Sequence, residues 1–387
     1  MSPAEKRLFW ILSGAFCLNL FLIGWMAPWI VENFPFSPYR VFGRIGLIGI
    51  NLLLLLRILH LILVKSDWAE RAKRRSLIFG ALFFIGLIVE VPFMFIAHSH
   101  GNGSTYAARV WFHRYWEFNS DGYRAPEFNA EAGKGKFKIG ILGDSFVAGH
   151  GINDPEERFS NILQRKLGDG FKVYNIGVCG ADTKDELGYL EEFPAQPDLV
   201  VLCHLPNDIE RVTVPEPEKK PVGAGLALPG FLTRASFFLN YMSWKMDSWT
   251  MSIGSRNEQT KPEDFTGNNP VAMYFEPGLR EAHYEDLDKI VQWCREKGTR
   301  LMVLTFPETY KTGIEFTQTE INMPLATWME SREVPTLHAY DVLRPIPEEE
   351  RIVNLQDAHP SPKSHAAVAE MLLQYFQEQT WMPPISP

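Results

Sequence analysis

Phe137-Lys138-Ile139-Gly140-Ile141-Leu142 runs directly into Gly143-Asp144-Ser145-Phe146. The first six residues read as a short buried strand, and the next four as the sharp turn that ends it. A serine on such a turn is presented at the strand's carboxyl end, where open α/β sheets bind their ligands. Turns are rich in Asp and Ser for local reasons, so Ser145 gains weight only from residues farther along the chain. Three further pieces appear in order: Asn175-x-Gly177-x-x-Gly180, Asn207-Asp208 and Asp357-Ala358-His359. Together they offer a nucleophile, oxyanion donors, and a base with its acid.

Outward from that stretch, strand and helix patterns alternate. Strands are expected at Phe137–Leu142, Lys172–Ile176, Leu199–His204, Arg300–Phe306 and Pro335–Ala339. Helices are expected around Glu157–Leu167, Lys184–Glu192, Gly278–Lys297, Glu320–Ser331 and Pro362–Gln379. Apolar strands separated by helices imply a parallel sheet covered on both faces, a flavodoxin-like three-layer α/β/α domain over 137–387. Ser145, Gly180 and Asn207 all fall just past strand ends. An insert at about 211–277 interrupts the pattern; it contains the charged, proline-rich Pro215–Pro221 and an aromatic helix candidate, Phe231–Trp249, expected mainly to pack and partly to shape the cleft.

The amino-terminal part differs in kind. Residues 8–31, 45–64 and 77–97 are each apolar and about as long as the ~20 residues a crossing needs. The first lacks a small-residue cleavage site and carries Trp10, Trp25 and Trp29, so it reads as a retained anchor rather than a leader. Residues 1–98 are thus expected to be a bundle of three transmembrane helices. Lys65, Arg71, Lys73, Arg74 and Arg75 lie between the second and third runs, and Lys6 and Arg7 precede the first. Positive-inside bias then places the amino terminus in the cytoplasm and everything after about His98 outside it, in a bacterial inner or plasma membrane. Arg57 and Glu90 lie within these runs and are expected to snorkel separately rather than pair. Residues 99–136 read as a linker with an aromatic, turn-rich lead-in that packs as a hairpin on the domain edge.

Composition excludes some functions. A formal net charge of −8 gives no basic face for nucleic acid. The four cysteines, Cys17, Cys179, Cys203 and Cys294, have no metal-ligand or disulfide-framework spacing and read as small buried hydrophobes. No His, Cys or carboxylate cluster with metal-site spacing and no Walker-type loop is found, so no metal and no cofactor are expected.

In its ordered motifs the chain resembles the SGNH (GDSL-type) hydrolases over roughly 137–380, and Asn119-Ser120-Asp121-Gly122-Tyr123-Arg124 resembles the lead-in of a membrane-anchored subgroup. The resemblance implies Ser145 as nucleophile, His359 as base and Asp357 as the acid that orients it. It also implies an oxyanion hole made by the Ser145 and Gly180 backbone N–H groups and the Asn207 side chain. Two positions depart from the commonest pattern. The acid stands two residues before the histidine, with Gln356 at the usual place, and Leu205 replaces a glycine before the asparagine. Asp341 is a distant second candidate for the acid. Asp144 and Asp208 are expected to brace loops, Gly177 to serve a turn, and His150, His204, His338 and His365 to be structural or surface residues.

The expected function is a membrane-anchored serine esterase that cleaves O-acyl esters of envelope glycans or lipids. Two alternatives stand beside it. One is an O-acyltransferase that moves acyl groups to an exported polysaccharide with the help of a membrane acyl-donor partner. The other is a catalytically silent binding or assembly module.

Overall fold

The computed structural model describes residues 88–100, 105–210, 236–253, 270–310 and 313–385, with Thr233 and scattered positions before residue 88. Most of the three apolar runs and of the 211–277 insert lie outside the described residues. Among the described residues no helix is long and apolar enough to cross a membrane.

The chain forms two compact units. One comprises 1–98, 104–111 and 224–249; the other comprises 99–103, 112–223 and 250–387.

In the first unit, Glu90 makes no pair with Arg57 among the described residues and is bonded within the protein. Its carboxylate accepts from the Ser236 hydroxyl and from the backbone N–H groups of Phe237 and Phe238, at 2.7 and 3.0 Å. It thereby caps the helix Phe237–Ile253, where orphan N–H groups and the helix dipole both favour an anion. Phe93 packs on Phe238 and Tyr241, and His98 on Trp244.

The second unit holds the sheet. Strands β1 (Phe137–Gly143), β2 (Phe171–Gly177), β3 (Leu199–His204), β4 (Arg300–Thr305) and β5 (Thr336–His338) are all parallel, in the order β2-β1-β3-β4-β5. This is the doubly wound flavodoxin order, whose switch point lies beside the first strand. Alternation along β1 sends Ile139 and Ile141 to one face and Leu142 to the other. The first face packs on α2 (Phe159–Leu167) through Phe159, Leu163 and Leu167, and on α6 (Pro362–Glu378) through Val368, Leu372 and Phe376. The second packs on α3 (Thr183–Glu192), α4 (Pro277–Lys297) and α5 (Met323–Glu330) through Leu190, Leu287, Ile290, Leu325 and Met329. Three layers result, as the alternating pattern implies.

Some elements escaped the sequence reading. Within the expected linker, Tyr106–Tyr115 is helical. The lead-in is a side-chain-closed loop, not a hairpin: Asn119 N–H donates to Tyr123 O, and Asn119 Oδ1 accepts from Asp121 and Tyr123 N–H. Asp357–Pro360 is a strand, β7, paired antiparallel with β6 (Ile352–Asn354). Of the cysteines, only Cys203 and Cys294 are buried; Cys17 and Cys179 are exposed, so the uniform reading of all four as core residues fails.

Candidate active site

Ser145 opens a single helical turn, α1 (Ser145–Ala148), directly after β1. Asp144 caps it by accepting from Phe146 N–H at 2.9 Å. The turn sits close against β2. A Cβ on Gly177 would come within 2.3 Å of Ala148 N and 2.7 Å of Val147 C, so only glycine admits this approach. Gly177 therefore serves contact with the serine turn as much as its own turn. Asn175, two residues earlier, ties the same helix down by donating to Val147 O at 2.7 Å.

His359 Nε2 lies 2.8 Å from Ser145 Oγ, and His359 Nδ1 bonds Asp357 Oδ1. The acid's spacing follows from β7. Residues i and i+2 of a strand face the same side, so Asp357 and His359 project together. Gln356 sits in the turn before the strand. Asp357 is fully buried, which raises its pKa. The bond and charge of His359, the charge of His150 and the bond from Ser99 outweigh that and hold the carboxyl well below the usual range.

The oxyanion candidates follow from strand order. β2 and β3 flank β1, so the loops carrying Gly180 and Asn207 open at the same end of the sheet as Ser145. Gly180 has φ +77°, a left-handed conformation that suits glycine. Asn207, in the 3₁₀ turn Pro206–Ile209, donates to Asp144 Oδ2 at 3.0 Å, the oxygen that also lies 3.2 Å from Ser145 Oγ. Asp208 accepts from Leu205 N–H at 2.8 Å. Both aspartates thus brace loops as expected, and Leu205 is buried in the core.

Behind this end of the sheet, burial raises the Glu186 and Asp208 carboxyls well above their usual range, with Asp144 adding to both shifts. His204 is buried against Tyr274 and His283 at 3.0 and 3.3 Å. His365 accepts from Phe159 N–H, and His338 pairs with Thr305. All three are structural, as expected.

His150 departs from that expectation. Its ring stacks on His359, with centroids 4.2 Å apart and planes inclined by 19°, and its Nε2 lies 3.5 Å from Asp357 Oδ2. The ligand atoms of His150, Asp357 and His359 all lie within 4.8 Å of one another, a grouping that sequence spacing did not reveal. Both imidazoles direct a nitrogen at the one carboxylate, which accounts for the cluster by hydrogen bonding alone. Gly149, left-handed at the end of α1, turns the chain so that His150 N–H bonds Ser145 O at 2.9 Å. The turn is locked by buried Arg124, which donates to Gly149 O at 2.6 Å and to Ile152 O and Tyr115 O at 2.7 Å. Position within five residues of the serine was the only signal available for His150 in the sequence.

Residues 141–367 match the GDSL-like lipase/acylhydrolase family. The chain belongs to that family. Its members' chemistry makes the chain an ester hydrolase, and the alternative of a catalytically silent module is set aside. Among solved structures, the chain is similar to a lipolytic G-D-S-L protein from Veillonella parvula, at 16% identity and TM-score 0.38, over 62% of this chain and 99% of that one. It is also similar to a carbohydrate acetylesterase family member from Sinorhizobium meliloti, at 13% identity and TM-score 0.33, over 62% of this chain and 97% of that one. No curated protein matches the chain in sequence. In this GDSL-like hydrolase, an imidazole between a serine hydroxyl and a buried carboxylate can take and return one proton.

Proposed function

We propose that this chain is a serine esterase in which Ser145, His359 and Asp357 form the triad. The observation that carries the reading is the continuous path from Ser145 Oγ through the His359 ring to Asp357. Ser145 Oγ attacks the ester carbonyl as His359 Nε2 takes its proton. The Ser145 and Gly180 N–H groups and the Asn207 amide donate to the oxyanion. Collapse expels the alcohol, which receives the proton from His359, and leaves an acyl group on Ser145. Water then gives its proton to His359 and attacks the acyl carbonyl, releasing the acid and restoring the serine. Asp357, ionised throughout, orients the ring and stabilises the imidazolium.

The three apolar runs before residue 98 support a membrane anchor, and the flanking Lys and Arg residues support a catalytic part outside the cytoplasm. The substrates that suit such a location are O-acyl esters of envelope glycans or of lipids near the bilayer. The test compares wild type and Ser145→Ala on p-nitrophenyl acetate, with and without an oligosaccharide acceptor. Turnover absent from the variant supports the esterase. Acyl appearing on the sugar would replace hydrolysis with transfer. Covalent fluorophosphonate labelling at a residue other than Ser145 would sink the assignment. A reporter fused near Gly101 tests topology, and a cytoplasmic signal there would overturn the location.

A further inference from the structure

We propose that Ser99 and His150 are positioning residues for the triad acid, holding Asp357 Oδ2 so that Oδ1 stays aimed at His359. The inference rests on the serine-esterase reading. Asp357 has no exposed surface, so both oxygens need protein partners. His359 takes Oδ1. The Ser99 hydroxyl donates to Oδ2, and His150 Nε2 lies 3.5 Å from the same atom. His150 Nε2 also lies 3.2 Å from the His100 carbonyl oxygen. A nitrogen facing a carbonyl and a carboxylate must carry the proton, so His150 is the Nε2–H tautomer and a donor to both.

Each member is itself held in place. Asn354 Nδ2 donates to Ser99 O at 3.1 Å, which joins Ser99 to the β6 strand beside the acid. Arg124 fixes the backbone on both sides of His150 through Gly149 O and Ile152 O. Among the described residues, the titratable and charged groups near the His150 ring are His359, Asp357 and Arg124, with the His100 carbonyl at Nε2 and the Phe112 and Trp116 rings packed beside it. Burial and the His359 charge, against the pull of Asp357, push its pKa down to about 4. A neutral ring therefore lies against His359 as that residue becomes an imidazolium, and it adds no competing positive charge. Flat stacking at 4.2 Å also restricts rotation of the His359 ring.

Ser99 and His100 follow His98, the residue after the third apolar run. Both lie in the unit that holds Asp357, and Ser99 bonds there to Asp357 and Asn354.

The test uses the full-length chain as wild type, Ser99→Ala, His150→Phe and Ser145→Ala, with p-nitrophenyl acetate as substrate. His150→Phe keeps a ring against His359 and removes the donor. Ser99→Ala is expected to lower kcat about tenfold with KM nearly unchanged, the scale of one hydrogen bond to a charged group. It is also expected to move the acidic limb of the kcat–pH profile to higher pH. A carboxylate freed of donors on Oδ2 favours the charged imidazolium more strongly. His150→Phe is expected to act in the same direction. If both variants keep the wild-type kcat and profile while Ser145→Ala is inactive, the positioning role is wrong and the triad stands. A fall in kcat with an unmoved acidic limb also overturns it, since that is the mark of a merely structural residue. Turnover surviving in Ser145→Ala would remove the triad reading and this inference with it.

Discussion

Asn207 and Asp144 are joined by a 3.0 Å hydrogen bond from the asparagine amide to Asp144 Oδ2, across the carboxyl ends of two adjacent strands. The bond ties the β3 loop to the turn that carries Ser145. It uses one amide hydrogen of Asn207 and orients the other. If the Asn207 amide is an oxyanion donor, as proposed above, Asn207→Ala removes a donor that Asp144 holds in place, and kcat is expected to fall about 10²–10³-fold with little change in KM. Asp144→Ala should lose activity too, because it releases Asn207 and uncaps α1. Steady-state kinetics on a short activated ester checks both. A loss confined to KM would argue against transition-state stabilisation by Asn207.

The two-residue spacing of acid and base belongs to a strand. Asp357→Asn should lower kcat by about 10⁴, because the amide no longer fixes the His359 tautomer. Moving the acid back to the commoner place, in the double variant Gln356→Asp with Asp357→Ala, should not restore activity. Residue 356 lies in the turn before β7. Recovery above the Asp357→Ala level would show that the ribbon does not set the pairing.

Gly177 marks the closest approach of β2 to the serine turn. Gly177→Ala puts a methyl into backbone atoms at 2.3 Å and should destabilise the fold by about 1–3 kcal/mol. Because the displaced atoms belong to α1, kcat should fall as well. Denaturant unfolding and kinetics on the same preparation test this, and a wild-type midpoint would contradict so close a contact.

Two buried carboxyls should shape stability in opposite directions with pH. The Asp357 pKa is depressed in the folded chain, so its contribution is present above its unfolded value of ~3.9 and is lost as pH falls toward the folded value. The Glu186 pKa is raised, chiefly by burial, so its contribution is present below about 4.3 and is lost as pH rises through the folded value. Neither Glu186 carboxylate oxygen has a hydrogen-bond partner among the described residues. Glu186→Gln should therefore raise the melting temperature on the alkaline side and leave it nearly unchanged at low pH. Asp357→Asn should flatten the acid-side loss. Melting curves across pH decide the matter, and an unchanged alkaline side in Glu186→Gln would show that folding does not raise the Glu186 pKa.

The sequence alone determined the parallel α/β architecture, because strands buried on both faces must be apolar and the helices between them amphipathic, and both patterns are local. Strand β3 occupies the expected residues, and the others differ from expectation by one or two residues at their ends. Ser145, Gly180 and Asn207 could be singled out because each stands just past a strand end, and Asp357 and His359 because their motif resembles the family's last block, although the strand that carries that pair was not expected. Contacts between distant segments were not legible. No periodicity could pair Ser99 with Asp357, 258 positions away, or stack His150 on His359. Glu90 read as an isolated charge in an apolar run until the fold brought Ser236–Phe238 to it. Burial favours a carboxylate whose oxygens meet donors, as those of Asp357 do, and the fold alone determines which donors come within reach.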